Sequence, residues 1–488
     1  MANTSRRSFL QTVAVTSAAF SIPRIAISQQ NWEVYTVAGT GLAGYEYEGR
    51  QGLIATETPV NNPYGVVIGP GDDLYFCEVD TGRTRRLNLT TNRLTTIAGN
   101  GETGYIHESR RPLETSFNAP HEIRWDEQGN LYIVERDSHS VRRIAARTGL
   151  VTTLAGNGEA GDEGDGRPAV LSQLNRPHSI AFDSSGNLLI CDIGNHRLRI
   201  VSRETGIIRT LSGTGERTQT PDRASLEGTP LLGPRSIDTD PDGNAYLVLR
   251  EGNAIYQIDI QGDRLERIAG TGEQGYDGDG GPAINCTFNG PKGIAYSRQD
   301  HSLYIVDTEN HVIRRLALST GIIDTVLGNG ERGNGSDGNP LNCMTDRPHG
   351  VCVHEGIVYV TDSENNKLLD ITANFKPDLI LMGHADMISN ETIIKIKKFY
   401  PNIKFAQWFL DKMDNKDWLH NKKRFLQKYK LMDSNFCTTS PSAIKLNKNS
   451  CHYIPNPVDS TLDNMKIFKN KNSVYDIFFA MSHGVHRG

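Results

Sequence analysis

Lysine is almost missing from most of this 488-residue chain: residues 1 to 372 hold 32 arginines but only Lys292 and Lys367. Cysteine is scarce too, seven in all, and no two are spaced as CxxC. That excludes a paired-cysteine zinc ribbon and covalent haem attachment. Neither a nucleophile elbow nor a glycine-rich phosphate loop occurs, which removes the hydrolases and nucleotide-binding proteins built on them. No apolar run approaches the roughly 20 residues of a spanning helix, so no stable membrane anchor is expected. Residues 1 to 372 carry a formal charge of −13, the wrong sign for a nucleic-acid partner.

What the chain has in excess is repetition. Pro63, Pro120, Pro177, Pro234, Pro291 and Pro348 stand 57 residues apart. Behind each runs a similar string, such as PHEIRWDEQGNLYIVE or PHGVCVHEGIVYVTD. Each unit reads as a short apolar run, a Gly/Asp turn, a second apolar run, a polar turn, an RxRRI-type run and a VTTLAGNG-type run. Four short strands per unit at a fixed period predict an all-β, six-bladed propeller. The sixth unit stops after its third strand, at Lys367–Ile371, and its missing AGxG strand stands at the front as Trp32–Gly41, WEVYTVAGTG. That strand is expected to complete the last blade and remove the open edge.

Two columns of residues follow from the repeat. The residue after each proline lies near the channel mouth: Tyr64, His121, His178, Arg235, Lys292 and His349. The second strand returns to the same face and ends on Glu78, Glu135, Asp192, Leu249, Asp307 and Asp362. Seven residues further stand Arg85, Arg142, Arg199, Tyr256, Arg314 and Leu369. The fourth unit loses acid and arginine together, which points to a structural acid–arginine clamp, since a buried acid needs a partner to stay charged. The mouth column admits three readings: packing at the start of each blade, an anion site using Arg235 and Lys292, or a zinc- or calcium-like metal held by His121, His178 and His349.

Other features read as local. His139, Asn195-His196 and Asn310-His311 fall in the turn between strands two and three, where such side chains satisfy backbone groups. Asp162-Glu163-Gly164-Asp165 and Asp277-Gly278-Asp279 have calcium-like composition without regular ligand spacing, so turn formation is expected. Cys286 and Cys343 occupy equivalent positions in adjacent units. They form either a bridge, if their Cα atoms lie within about 7 Å, or two separate buried thiols.

The repeats resemble the NHL family, most closely at GEQGYDGDGGPAINCTFNGPKGIAY (272 to 296) and the following LYIVDTENHVIRRL. The resemblance implies a six-bladed ring over 29–372. It leaves open a binding scaffold for a small anionic ligand or a protein partner, or a metal-dependent lyase or lactonase, because some related lyases place a metal in the channel. A monomer is expected. Residues 1–28 read as a twin-arginine export signal: Ser5-Arg6-Arg7-Ser8-Phe9-Leu10, the apolar Thr12–Ile22, and a small-residue site at Ala26-Ile27-Ser28. A periplasmic or secreted location follows.

Residues 373–488 differ in composition, with 16 lysines, two arginines, three glycines and a formal charge of +8. They read α/β, with strands in KPDLILMGH and PNIKFAQWF and an amphipathic helix in NETIIKIKKFY. DSNFCTTSPSAIKL, YIPNPVD and YDIFFAMSHGVHRG resemble the middle of a GT-B type glycosyltransferase. The donor-binding half expected next is absent, so the tail reads as a truncated, foreign fragment without a complete transferase site. The alternative is a genuine accessory domain.

Overall fold

Alternating apolar residues bounded by Gly/Asp turns form four-stranded antiparallel sheets, one per repeat. The computed structural model describes residues 32–49, 51–105 and 110–373, and parts of 379–481. In the first blade the strands are Pro63–Gly69, Asp73–Glu78, Arg83–Asn88 and Arg93–Ala98. Six such sheets follow one another, two of them with an additional two-residue strand. Trp32–Ala38 pairs antiparallel with Lys367–Ala373, Trp32 opposite Ala373 and Ala38 opposite Leu368, and so supplies the fourth strand of the last blade. The ring is the six-bladed, all-β propeller expected from the period.

Successive blades are held by apolar clusters, one to each junction. Between blades one and two lie Cys77, Phe117, Ile123 and Ile133. Between blades six and one lie Ala38, Val60, Phe76, Tyr359 and Leu368. The first and last blades are thus joined by a core of the same kind as any other neighbours.

The AGxG motif has a steric reason. Gly156 has φ +86°, and a Cβ there would stand 2.1 Å from the carbonyl oxygen of His139. Gly213, Gly270 and Gly328 repeat this against the carbonyls of His196, Asn253 and His311 at 2.2 to 2.3 Å. Only glycine lets the fourth strand leave the sheet so close to the turn between strands two and three.

The chain divides into two compact units, Met1–Asn374 and Phe375–Gly488. In the second, Leu379–Gly383, Lys404–Phe409, Ser434–Cys437, His452–Tyr453 and Ile477–Met481 form one parallel sheet. The sheet is extended on one side by the second, third and fourth strands, and on the other by the fifth. This reversal of direction is that of doubly wound α/β sheets. The helix Leu419–Tyr429 also belongs to this unit. Most of NETIIKIKKFY, most of the segments that resemble a glycosyltransferase, and the export signal 1–28 fall outside the described residues. Among the described residues no helix is long and apolar enough to cross a membrane.

Candidate functional site: the basic channel mouth

The innermost strand of each blade is irregular where the mouth residue sits. The pairing register shifts between Pro63 and Val66, between Pro120 and Glu122, and between Pro234 and Ser236, around Tyr64, His121 and Arg235. In the other three blades the regular strand begins later, and the amides of His178, Lys292 and His349 reach the second strand singly, at 3.0, 2.9 and 3.1 Å. Bulges of this kind re-aim a side chain. All six mouth residues line one cavity of about 540 Å³.

The residue before each repeat proline is left-handed in all six blades: Asn62, Ala119, Arg176, Gly233, Gly290 and Arg347 have φ between 47° and 74°. That conformation costs a non-glycine residue about 1–2 kcal/mol. In five of the six blades a side chain of the preceding blade accepts from that residue's amide. His139 Nδ1 accepts from the Arg176 amide at 3.0 Å, His196 Nδ1 from Gly233 at 3.2 Å and His311 Nδ1 from Arg347 at 3.1 Å. Asn253 and Asn366 do the same with Oδ1, for Gly290 at 2.9 Å and Asn62 at 2.8 Å. The turn histidines therefore satisfy backbone groups, as expected, but across the blade junction and not within their own turn.

At the mouth, Tyr64 stacks on His349, ring centroids 3.8 Å apart, and meets His121 edge-on at 4.6 Å. His121 in turn meets His178 at 4.3 Å. The Arg235 guanidinium donates to His121 Nε2 at 3.2 Å. His178 and His349 each place Nδ1 on a backbone carbonyl, Arg176 O at 2.6 Å and Arg347 O at 2.8 Å. A carbonyl only accepts, so Nδ1 carries the proton in both rings and Nε2 keeps its lone pair. That lone pair of His349 faces Lys292 Nζ at 3.0 Å.

Burial, then Arg235, holds the pKa of His121 and His178 well below the ordinary 6.5. For His349 the causes are burial and then Lys292. Burial also brings Lys292 down to about 7 and Arg235 to about 10. The imidazoles are thus neutral acceptors beside two cations. A divalent cation would need three such lone pairs on one point, and those of His121 and His349 already face Arg235 and Lys292. Among the described residues no three His, Cys, Asp or Glu side chains are grouped to hold a metal ion.

A second tier of cations surrounds this ring: Arg136, Arg176, Arg217, Arg250 and Arg347 also line the cavity, and Glu251 is its single acidic residue. Sequence columns did not single them out, because Arg136 and Arg250 follow strand two in only two blades. Arg176 and Arg347 stand out only as the two arginines in a pre-proline column otherwise of Asn, Ala and Gly. One level deeper, Glu122 and Arg124 pair at 2.7 Å.

Behind the mouth lie the acid–arginine pairs: Glu78–Arg85 at 2.8 Å, Glu135–Arg142 at 3.0 Å, Asp192–Arg199 at 3.4 Å and Asp307–Arg314 at 3.8 Å, every side chain fully buried. Three arginines hold a second acid, Glu48 at 3.0 Å, Asp165 at 2.5 Å and Asp279 at 2.7 Å. The acidic loops thus turn Asp165 and Asp279 onto buried arginines. In the fourth blade Leu249 and Tyr256 join an apolar cluster instead. Asp362, without an arginine, accepts from the Asp346 amide at 2.7 Å and from Asn365 at 2.8 Å, and burial lifts its pKa to about 7. The bridge weighed for Cys286 and Cys343 is not formed: both are free thiols, buried in different apolar clusters.

Comparison with known proteins places these blades. A family model described as the NHL repeat matches residues 174–201 and 345–369, in blades three and six. Two of the six blades thus match the NHL repeat. The chain is 28% identical over 290 residues to "Protein SUPPRESSOR OF QUENCHING 1, chloroplastic" of Arabidopsis thaliana, covering 57% of this chain and 27% of that protein. It is 20% identical over 334 residues to "NHL repeat-containing protein 2" of Homo sapiens, covering 60% of this chain and 46% of that one. The match thus spans between about a quarter and a half of these relatives. Among solved structures, a Bacteroides thetaiotaomicron protein of unknown function aligns with TM-score 0.52, 17% identity and coverage of 70% of this chain and 76% of that one. An auxiliary nutrient binding protein of the same organism aligns with TM-score 0.50, 16% identity and the same coverage. These likenesses concern the fold of the ring.

Proposed function

We propose that the NHL-repeat ring is an exported scaffold, periplasmic or secreted, whose channel mouth binds a small anionic ligand or an acidic segment of a protein partner. The carrying observation is the charge of the cavity, lined by six arginines and Lys292 against one carboxylate. Convergent guanidinium groups suit carboxylate and phosphate oxygens, which they can bind bidentately. A ring of similar fold occurs in a protein described as nutrient binding, which is in keeping with this reading. Calorimetry against inorganic phosphate and a tricarboxylate, with a neutral sugar as control, tests it. Saturable, salt-sensitive anion binding is expected, weakened about 10- to 150-fold in Arg235→Ala for the loss of one charged hydrogen bond. Equal binding of anion and neutral sugar would overturn it. The rival, a metal-dependent lyase or lactonase using His121, His178 and His349, would replace it if protein purified without a histidine tag held stoichiometric zinc or calcium that His178→Ala released. Export is tested by Arg6→Lys with Arg7→Lys, which should retain the protein in the cytoplasm.

A further inference from the structure

The ring uses arginine for almost every cation, so its two lysines are exceptions. Lys367 opens the third strand of the last blade and donates to Asn334 at 2.7 Å. Lys292 lies in the basic cavity, its side chain 5% exposed, 3.0 Å from His349 Nε2 and 3.4 Å from Glu309. Arginine does not deprotonate in proteins, whereas a buried lysine does, and the neutral amine is a nucleophile toward carbonyl carbon. The neighbours favour that form. Arg235 repels a second charge, and Glu309, the one carboxylate on Lys292, is also held by Arg347 at 2.8 and 3.0 Å. His349, its Nδ1–H fixed on Arg347 O, presents Nε2 as the acceptor for the departing proton.

We infer that Lys292 captures anionic carbonyl compounds, such as 2-oxo acids or phosphorylated aldehydes, as an imine, with the surrounding arginines holding the anionic group. The inference rests on the anion-binding reading of the cavity and adds a reacting atom to it. The Lys292 ammonium gives a proton to His349 Nε2 and the free amine adds to the carbonyl carbon. The C–N bond forms as the C=O π bond breaks, and the oxygen takes that proton. The carbinolamine then expels its oxygen as water, using a second proton from the nitrogen supplied back through solvent, and leaves the C=N bond. Overall, one ammonium and one carbonyl give one protonated imine and one water.

The full chain is incubated with pyridoxal phosphate or glyoxylate and reduced with borohydride, which adds hydride to the imine carbon and makes the link permanent. Intact mass and peptide mapping locate it. The expected result is one adduct per chain at Lys292 under limiting reagent, blocked by excess inorganic phosphate and missing in Lys292→Arg, which keeps the cation but not the nucleophile. Arg235→Ala, with Lys292 intact, should label more slowly with either reagent. Labelling spread over the tail lysines and Lys367, or unchanged in Lys292→Arg, overturns the inference. If phosphate still binds saturably while Lys292 stays unlabelled, capture fails and the anion site stands. If phosphate does not bind either, both readings fall. An unchanged melting temperature in Lys292→Arg separates loss of the amine from loss of the fold.

Discussion

At the scale of single residues, the molecule uses charge in two different ways. The buried arginines behind the mouth stabilise acids that cannot reach water. Arg85→Ala should therefore cost about 3–5 kcal/mol in chemical denaturation, because it leaves Glu78 buried without its cation. The arginines and Lys292 at the mouth line an open cavity instead, with Arg136 held by Asp137, Arg250 by Glu251, and Arg347 and Lys292 by Glu309. Lys292 titrates at about 7, so it binds its proton below that pH and loses it above. Anion affinity should fall as pH rises from 6 to 8.5, and calorimetry on Lys292→Arg should lose that dependence. The turn histidines make the converse case. Burial lowers the pKa of His196 and His311, so the unfolded chain binds the extra protons. Their contribution to stability is complete above the unfolded value of about 6.5 and is lost as pH falls below it. Asparagine fills the same role in blades four and six. His311→Asn should thus hold within about 1 kcal/mol of the parent, and His311→Ala should cost about 1–3 kcal/mol by removing the acceptor of the Arg347 amide.

At the scale of the element, the blade was readable because its strands alternate and its turns recur in register. The clamp was readable for the same reason: strands two and three are antiparallel neighbours, and a seven-residue offset sets Arg85 opposite Phe76, close to Glu78. The second acids escaped although Asp165, Asp222 and Asp279 stand 57 residues apart, because Glu48 falls outside that register and a loop position does not say which way its carboxylate turns. Asp165 and Asp279 looked like turn formers, and only the folded chain shows their carboxylates on Arg199 and Arg314. The second tier at the mouth escaped for a related reason. Arg176 and Arg347 reach the cavity through a left-handed backbone, and their φ values are a product of the blade junction. A test at this scale is Gly156→Ala. The added methyl would meet the His139 carbonyl at 2.1 Å, so unfolding free energy should fall by more than about 1 kcal/mol, whereas a glycine-to-alanine change at an unstrained position would raise it.

At the scale of the whole molecule, the ring's apolar clusters are built from its own residues, and the parallel sheet of 375–488 has a small cluster of Met413, Phe425, Cys437 and Cys451. Truncation after Asn374 should leave the ring's melting temperature unchanged in calorimetry, whereas a clear drop would show the tail to be part of the same cooperative unit. Removing Trp32–Ala38 should instead broaden the transition and promote aggregation through the bare edge of the last blade. That closing strand also sets a clock. Ala38 pairs with Leu368, about 330 residues later. At about 5–20 residues per second a ribosome needs roughly 15–65 s to supply the partner. For all that time the first strand made must wait without its mate while five blades form behind it, so anything that occupies the nascent amino terminus governs when the ring is allowed to shut.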